Sequence, residues 1–568
     1  MSLDLLPPGL LIIGAGLLLA LRDGPILRAI ALLGPVGALA LLAAAPVGTA
    51  VHSEFLTYQL TPYAIQPLGR LFAIVFSLMA LVGTLFALAQ ARRLELSAAL
   101  VYAGSAVGAA TCGDLFTLFV YWEVMAIGST LVLWAAGTPA SERAALRYLL
   151  VHLSGGAVMM AGIAGHVATG GSLALAPMGV GSMGVGSLAT WLILIGVLIN
   201  AGAPPLSAWI ADAYPEASAT GTVFLSAFTT KTAVYVLLLL FPGTQVLIYI
   251  GLYMIFYGIV YALLENDMRR ILAYSIVNQV GFMVCGAGIG TAMAVNGAAA
   301  HAFVHIIYKA LLLMSAGSVL FMTGKRRCTE LGGLIHTMPL TAVCGIIGAL
   351  AISAFPLTSG FVAKSMITQA AVEQHLLWVW LALQAASAGV FLHAGIKFPW
   401  FVFFQKDSGL RPGEPPMNMR WAMIAFSVLC IWLGVFPHQL YNLLPVFPGY
   451  APYTGPHVVG QLQLLLFSGL AFFVLLPLMK RTLTISLDFD WIYRKVLVDV
   501  THRLLAQSPV LIAFFANIGA ALGTWLAGLS ERLHGERRVA ITGLTAHMLV
   551  WTVASLGLIL LFLYDFRW

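Results

Sequence analysis

Charge is what this sequence has least of. Lys, Arg, Asp and Glu make up 9% of its 568 residues, and 61% are hydrophobic. A soluble domain carries about 25% charged residues, so a water-facing surface cannot be built from this chain. Cysteine is also scarce. Cys112, Cys285, Cys328, Cys344 and Cys430 are scattered, with no CxxC pair, which argues against an iron–sulfur cluster, a zinc site or a disulfide framework. No nucleotide, quinone, heme or flavin motif is present, so no cofactor, no catalytic residue and no enzymatic activity of the chain by itself are expected. No nucleic-acid motif accompanies the formal charge of +7. The N-terminal stretch Leu5–Leu21 lacks a basic leader and a clear cleavage site, and reads as a first spanning helix, not a removed signal.

What is present is a succession of apolar runs, each near the roughly 20 residues a helix needs to cross a bilayer. They place helices near 5–21, 26–46, 70–90, 96–112, 113–135, 144–168, 188–210, 221–241, 245–264, 271–290, 296–322, 340–366, 377–404, 420–440 and 460–479, with two more near 508–528 and 543–564. The expected class is an all-α polytopic membrane protein with about 14–17 spans. With the N-terminus outside, Arg22, Arg28, Arg92, Arg93, Arg143, Arg147, Arg269, Arg270, Lys325, Arg326, Arg327, Lys406, Arg411, Arg420, Lys480 and Arg481 fall on inward loops. The outward side up to residue 460 holds Arg70 alone. This is a strong positive-inside bias. It weakens after residue 500, where Arg532, Arg537 and Arg538 fall outside by simple alternation. Leu487–Leu505 mixes Trp491, Tyr493, Arg494, Lys495 and Arg503 with apolar residues, which suits a helix lying in the interface. The uncharged outward loop 169–187 reads as a flexible connector.

Titratable side chains inside the spans carry the functional signal. The arginines fall in loops or at helix ends, but Lys231, Lys309, Lys364 and Lys397 lie within apolar helices. Arginine stays protonated under almost any condition, whereas a lysine in low dielectric can give up its proton. Glu123 is the one carboxylate well inside an expected span, and Asp114 lies near that helix's mouth. A bare charge at the bilayer centre costs about 3 kcal/mol or more, so Glu123 is expected to face other helices. His301, His305 and Lys309, at i, i+4 and i+8, share one helix face about 6 Å apart per step, a pitch suited to passing a proton through intervening water. A metal site there lacks further ligands. A purely structural role, with the histidines bonding across helices, is the plainer alternative. His152 and His393 each stand alone and suit packing or hydrogen bonding. Pro204 and Pro205 interrupt the seventh helix and Pro356 the twelfth. Proline removes a backbone donor, and paired broken helices in two halves of a chain point to an internal repeat and a transport pathway.

Five segments together carry a family resemblance: Asp114-Leu-Phe-Thr-Leu-Phe-Val-Tyr-Trp-Glu123, Phe224-Leu-Ser-Ala-Phe-Thr-Thr-Lys231, Arg269-Arg-Ile-Leu-Ala-Tyr-Ser275, His301-Ala-Phe-Val-His305-Ile-Ile-Tyr-Lys309-Ala-Leu-Leu and Phe355-Pro-Leu-Thr-Ser-Gly-Phe-Val-Ala-Lys364. Over roughly residues 60–405 the chain resembles the antiporter-like membrane subunit family, in particular the D subunits of the multi-subunit (Mrp-type) Na+/H+ antiporters. More widely it resembles the proton-pumping membrane subunits of respiratory complex I and membrane-bound hydrogenases. The resemblance implies two inverted five-helix repeats with broken seventh and twelfth helices, and a proton relay at mid-membrane through Glu123, Lys231, His301, His305, Lys309 and Lys364. Lys397, in His393-Ala-Gly-Ile-Lys-Phe-Pro, resembles an extra lysine of the antiporter branch. One position departs: where the family usually has a seventh-helix lysine as partner of the glutamate, this chain has Asn200. Asn cannot titrate, so Glu123 pairs elsewhere, with Lys231, or stays protonated.

The expected function is that of a proton-translocating subunit in the inner membrane of a bacterial cell, moving H+ with Na+ or another monovalent cation as its partner subunits require. Rival readings are a subunit of a redox-driven pump, an organic-solute transporter, and a structural subunit that has lost coupling, as Asn200 suggests. Expected partners are other membrane subunits of the same complex and the lipid bilayer, and no nucleic acid. The expected divisions are 1–69 (N-terminal helices and an outward loop), 70–290 and 291–440 (two antiporter-like halves) and 441–568. The segment beyond 480 is expected to dock a neighbouring subunit.

Overall fold

Inside a hydrocarbon layer each backbone N–H and C=O must be satisfied within the protein, so long apolar runs become helices. The computed structural model describes residues 5–179, 186–477 and 488–507, with isolated helical residues between 513 and 525. Every run expected up to residue 480 is helical. The elements are α1 (Pro8–Leu21), α2 (Pro25–Ala44), α3 (Pro67–Ala87), α4 (Arg93–Ala110), α5 (Leu115–Trp134) and α6 (Pro139–Ala168). The broken α7 follows as α7a (Leu188–Ala201) and α7b (Trp209–Ala213), and α8 as α8a (Gly221–Leu225) and α8b (Thr229–Leu240). Then come α9 (Val246–Leu264), α10 (Met268–Ile289), α11 (Ala292–Thr323), the broken α12a (Pro339–Ile352) and α12b (Ser359–Glu373), α13 (Leu377–Phe404), α14 (Met417–Val435) and α15 (Gly455–Val474). Among the described residues eleven helices are long and apolar enough to cross a membrane. α10 is buried but for Arg270 and Ile289 near its two ends, α8 is nearly as buried, and most of α15 faces outward.

The side chains at the two rims of the bundle differ. At one rim arginines satisfy the carbonyls left over at helix ends. Arg28 donates to the carbonyls of Leu88 and Ala91, and Arg92 to that of Ala135. Arg326 pairs with Glu216 and Asp267, and Arg270 with Glu265. Arg269 is only 3% exposed. It clamps the segment after α7b, donating to the carbonyls of Pro215 (2.8 Å), Ala217 (2.8 Å) and Ser218 (2.7 Å) and to Thr222 Oγ1. These residues belong to the loops that the charge bias placed together.

The opposite rim holds a feature the sequence left as a loop: an antiparallel hairpin of β1 (Ala50–Phe55) and β2 (Tyr58–Ala64), with Ala50 opposite Ala64 and Phe55 opposite Tyr58. An isolated hairpin is marginal in water, and this one is tied to α5. Asp114 caps α5 by accepting from Thr117 N (2.7 Å), and its other oxygen accepts from Thr117 Oγ1 and from Thr61 N on β2 (both 2.8 Å). The stretch 169–179 is also held, through Leu115 N to Leu173 O (2.9 Å), Leu175 N to Gly113 O (3.1 Å) and Met178 N to Leu240 O (2.6 Å). The flexible connector expected at 169–187 is therefore anchored over its described part.

Both proline breaks form where expected. α7a ends at Gly202, whose φ of 78° is the left-handed conformation glycine adopts without cost. Trp209 Nε1 then donates to the freed Ile199 carbonyl (3.0 Å). α12 opens at 353–358, around Pro356. The third break corrects the continuous eighth helix expected over 221–241. No proline causes it. The chain turns at Ser226–Phe228, and the Tyr102 hydroxyl accepts from Thr229 N (2.9 Å).

The chain divides into two units, Met1–Asp490 and Trp491–Trp568. In the first, Asp488 is buried and accepts from Tyr257 OH (2.5 Å) and Tyr274 OH (2.6 Å), fastening the segment after α15 to α9 and α10. In the second, Ile492–Val496 and Leu497–Gln507 form a helix with Trp491, Leu497, Val498, Val500 and Leu504 exposed, as an interfacial helix requires. Of the helix expected near 508–528 only the isolated helical residues are described. The helix near 543–564 and Arg532, Arg537 and Arg538 lie outside the described residues.

Asp114→Ala removes the cap of α5 and its tie to the hairpin. It should cost about 1–2 kcal/mol, read as a lower thermal unfolding midpoint of the purified protein in detergent, while Asp114→Asn should keep most of the stability.

Candidate functional site

Each residue proposed from the sequence as a proton carrier is turned into the protein. Lys231, His301, His305 and Lys309 are fully buried, Lys364 and Lys397 are 3% exposed, and Glu123 is 9% exposed. Ionisable groups at membrane depth face the bundle interior for the reason that hydrocarbon cannot solvate them.

Lys231 sits just past the break in α8. Its ammonium donates to the freed carbonyl of Ser226 (2.6 Å) and to Thr230 Oγ1 (3.1 Å). Lys364 repeats the device in α12: it donates to the freed carbonyl of Ile352 (2.9 Å) and lies 4.8 Å from the centre of the Phe282 ring. Lys309 donates to Ser275 Oγ on α10 (2.8 Å). Among the described residues none of the three is salt-bridged to a carboxylate.

The i, i+4 spacing on α11 holds, with the rings of His301 and His305 6.1 Å apart. The orientation of His301 is set from a distance. Asn278 Nδ2 donates to the Ile255 carbonyl (3.0 Å), Gln279 Nε2 donates to Asn278 Oδ1, and Gln279 Oε1 is left to accept from His301 Nε2 (3.1 Å). The proton of His301 is therefore on Nε2, and Nδ1, which has no partner among the described residues, is the open acceptor. Tyr308 OH bridges the same two groups, 2.9 Å from His301 Nε2 and 3.2 Å from Gln279 Oε1. Neither nitrogen of His305 is hydrogen-bonded among the described residues. α8b and both parts of α12 pack on α11, and Phe282 of α10 touches Lys364 and also His301, its ring 5.9 Å from the imidazole.

Two residues stand apart from these contacts. Lys397 lies on a π-helical turn of α13, Phe391–Lys397. It donates to three carbonyls at the end of α9: Ala262 (3.1 Å), Leu263 (2.5 Å) and Glu265 (2.6 Å). His393, one turn before it, is within electrostatic reach of Lys309, Lys364 and Lys397. Glu123 is not ion-paired with Lys231. Its Oε1 has no hydrogen-bond partner among the described residues and lies against Gly156 of α6, where a Cβ atom would meet it at 1.8 Å. Asn200 accepts from His152 Nδ1 (2.7 Å), which realises the hydrogen bonding expected of His152 and gives Asn200 a partner.

Sequence reasoning missed Gln279, Asn278, Ser275 and Tyr308. Their polarity inside two otherwise apolar runs was the available signal. It also missed the hydroxyl cluster in which Thr229 Oγ1 meets Tyr102 OH (2.6 Å) and Tyr148 OH (3.2 Å).

Titratable side chains buried within a bundle of broken apolar helices define a polytopic membrane protein with an ionisable interior. Comparison with known proteins narrows the class. Residues 112–389 match the family described as NADH:quinone oxidoreductase/Mrp antiporter, transmembrane. The N subunit of the NADH-quinone oxidoreductase of Desulforudis audaxviator is 31% identical over 364 residues, 59% of this chain and 72% of the relative. The D subunit of the Na(+)/H(+) antiporter of Alkalihalophilus pseudofirmus is 33% identical over 279 residues, 46% of this chain and 56% of the relative. A chain of the membrane-bound sulfane sulfur reductase, an archaeal respiratory membrane complex, shares the fold with a TM-score of 0.72 at 23% identity, covering 98% of this chain and 100% of its own length. The chain belongs to the NADH:quinone oxidoreductase/Mrp antiporter membrane-subunit family. It spans 56% of the length of the antiporter relative and 72% of that of the oxidoreductase relative.

Lys397→Met leaves one buried and two half-buried carbonyls without their donor. The variant should lose about 1–3 kcal/mol, read as a lower unfolding midpoint of the purified protein.

Proposed function

We propose that this chain is the proton-translocating subunit of a multi-subunit monovalent cation/proton antiporter. Protons enter near Glu123, pass Lys231, move along His301, His305 and Lys309, and leave past Lys364, with Lys397 joined to the line through His393. The observation that carries the reading is that Lys231, Lys309 and Lys364 are each buried on neutral carbonyl or hydroxyl oxygens, with His305 on the intervening α11 leaving both ring nitrogens open among the described residues. Lysines bound to neutral carbonyl and hydroxyl oxygens can release a proton without stranding an anion in low dielectric. An exit is supported by a cavity of about 510 Å³ at Lys364, lined also by Ser365, Thr368, Gln384, His457 and Gln461. The cell membrane of a bacterium is the setting of this activity. The other membrane subunits of the complex supply the coupling, and the segment beyond residue 480 docks one of them.

A second reading, a proton-pumping subunit of a redox-driven complex, is favoured by one observation: the likeness to the respiratory membrane complex extends over 98% of this chain. The two differ in what drives the same relay.

Both are tested in inverted vesicles from cells carrying the genes of the whole complex, with Lys364→Ala beside wild type. If a sodium pulse collapses the pH gradient in wild type and not in the variant, the antiporter reading holds and Lys364 is on the path. If both respond alike, the relay assignment is wrong. If wild type ignores monovalent cations and builds a gradient on addition of an electron donor, the second reading replaces the first.

A further inference from the structure

Glu123 and Lys231 are not in contact, so a proton taken up at one needs a carrier to reach the other. The face of α6 turned toward Glu123 and Asn200 carries His152, Gly155 and Gly156, at i, i+3 and i+4. Gly156 has no side chain, and Glu123 Oε1 lies against its backbone. His152 is four residues from Gly156, about 6 Å along the axis. Its Nδ1–H donates to Asn200 Oδ1 (2.7 Å), which fixes the tautomer and leaves Nε2 as the acceptor. The imidazole is clamped by Tyr148 (ring centres 4.0 Å) and Trp209 (4.5 Å, edge to face). His152 is 1% exposed, and its Nε2 has no partner among the described residues.

A histidine that merely joined α6 to α7a would need only the Nδ1 bond. That role leaves unexplained a bare imidazole nitrogen one turn from a bare carboxylate oxygen, each costing about 1–3 kcal/mol of unmade hydrogen bonding. Beyond His152 the polar groups continue. Tyr148 OH is 3.2 Å from Thr229 Oγ1, and the next residue, Thr230, bonds the Lys231 ammonium. The other titratable groups around His152 are Tyr148 on its own helix, Glu123 on α5, and Tyr214, whose ring centre is 6.5 Å from that of Tyr148. The ion pair of Arg147 with Asp212 of α7b lies at the same end of α6.

We propose that His152, held in register by Asn200, is the proton station between Glu123 and Lys231. The inference rests on the relay reading above and adds a member to it. The proton leaves the Glu123 carboxyl and binds Nε2, giving a carboxylate and an imidazolium. Nε2 then releases it toward the hydroxyls of Tyr148 and Thr229 and, by way of the neighbouring Thr230 hydroxyl, to the free amine of Lys231, each hydroxyl passing on one proton as it receives one. Glu123 is reprotonated from the inlet side, and His152 returns to the neutral tautomer that Asn200 selects.

The test uses the whole complex in inverted vesicles, driven by whichever of sodium or electron donor moves protons in wild type, with complex content measured in each preparation. His152→Gln keeps a donor for Asn200 and cannot carry a proton. It should assemble normally and slow proton transport by about 100-fold, the size expected of a lost proton-transfer group. Adding Asn200→Lys to it places an ammonium at the same point and should restore a measurable part of the rate. Transport by His152→Gln within about twofold of wild type overturns the proposal, because a positioned proton-transfer group is worth far more. So does a fully assembled double variant as slow as the single one. If His152→Gln fails to assemble, Asn200→Asp decides: a carboxylate on Nδ1–H should hold the imidazolium and move the pH dependence of transport upward, and an unmoved profile overturns the proposal. Lys231→Ala run alongside separates the two levels. Transport that survives it sinks the relay itself, whereas its loss beside an unaffected His152→Gln sinks only the station.

Discussion

A backbone carbonyl freed inside a bilayer has no water to turn to, and lysines of this chain take water's place. Lys231 serves Ser226 at the break in α8, Lys364 serves Ile352 at the break in α12, and Lys397 serves the last carbonyls of α9. Each arrangement answers two costs at once. An unpaired carbonyl in low dielectric costs several kcal/mol, and so does an ammonium without an acceptor. Joined, they allow the helices to break where the pathway needs irregular backbone. Because the acceptor is a dipole and not a carboxylate, the lysine can become an amine without leaving a buried anion behind.

Arginine is used in the opposite way. Its charge is permanent and its fork holds several carbonyls together. Arg269 does so for Pro215, Ala217 and Ser218, while Glu95 accepts from Ser218 (2.8 Å) and Thr220 on the same segment. The link between the broken α7 and α8 is thereby pinned at the rim, which lets Lys231 and Thr229 keep their positions deeper in the bundle. Permanent charge holds the rim, and the lysines lie buried deeper in the bundle.

The two groups of buried titratable residues are built unequally. On α11 His301, His305 and Lys309 share one helix face, and His301 is oriented by a chain of amides reaching back to the Ile255 carbonyl. Around Glu123 the groups come from separate elements: the carboxylate from α5, the imidazole from α6 and the amide from α7a. A single helix needs only its pitch to align carriers, whereas the Glu123 region depends on Gly156 letting α5 and α6 approach closely.

Much of this was legible in advance. The spans and the shared face of His301, His305 and Lys309 follow from runs of hydrophobicity and from the 3.6-residue pitch, which are local properties. So do the breaks at Pro204, Pro205 and Pro356, since proline acts on its own backbone. The break before Lys231 was not legible, because no residue there forbids a helix; a hydroxyl from Tyr102 takes Thr229 N instead. The hairpin at 50–64 was hidden for a similar reason, being stable only against Asp114 and the start of α5. By itself the sequence determined which runs form long apolar helices and which titratable side chains lie within them. Only the tertiary structure decided which carbonyls Lys364 and Lys397 rest on, and that Asn200 faces His152 and not Glu123. Those pairings join residues 12 to 135 positions apart, and no local rule of pitch or hydropathy reaches across that distance.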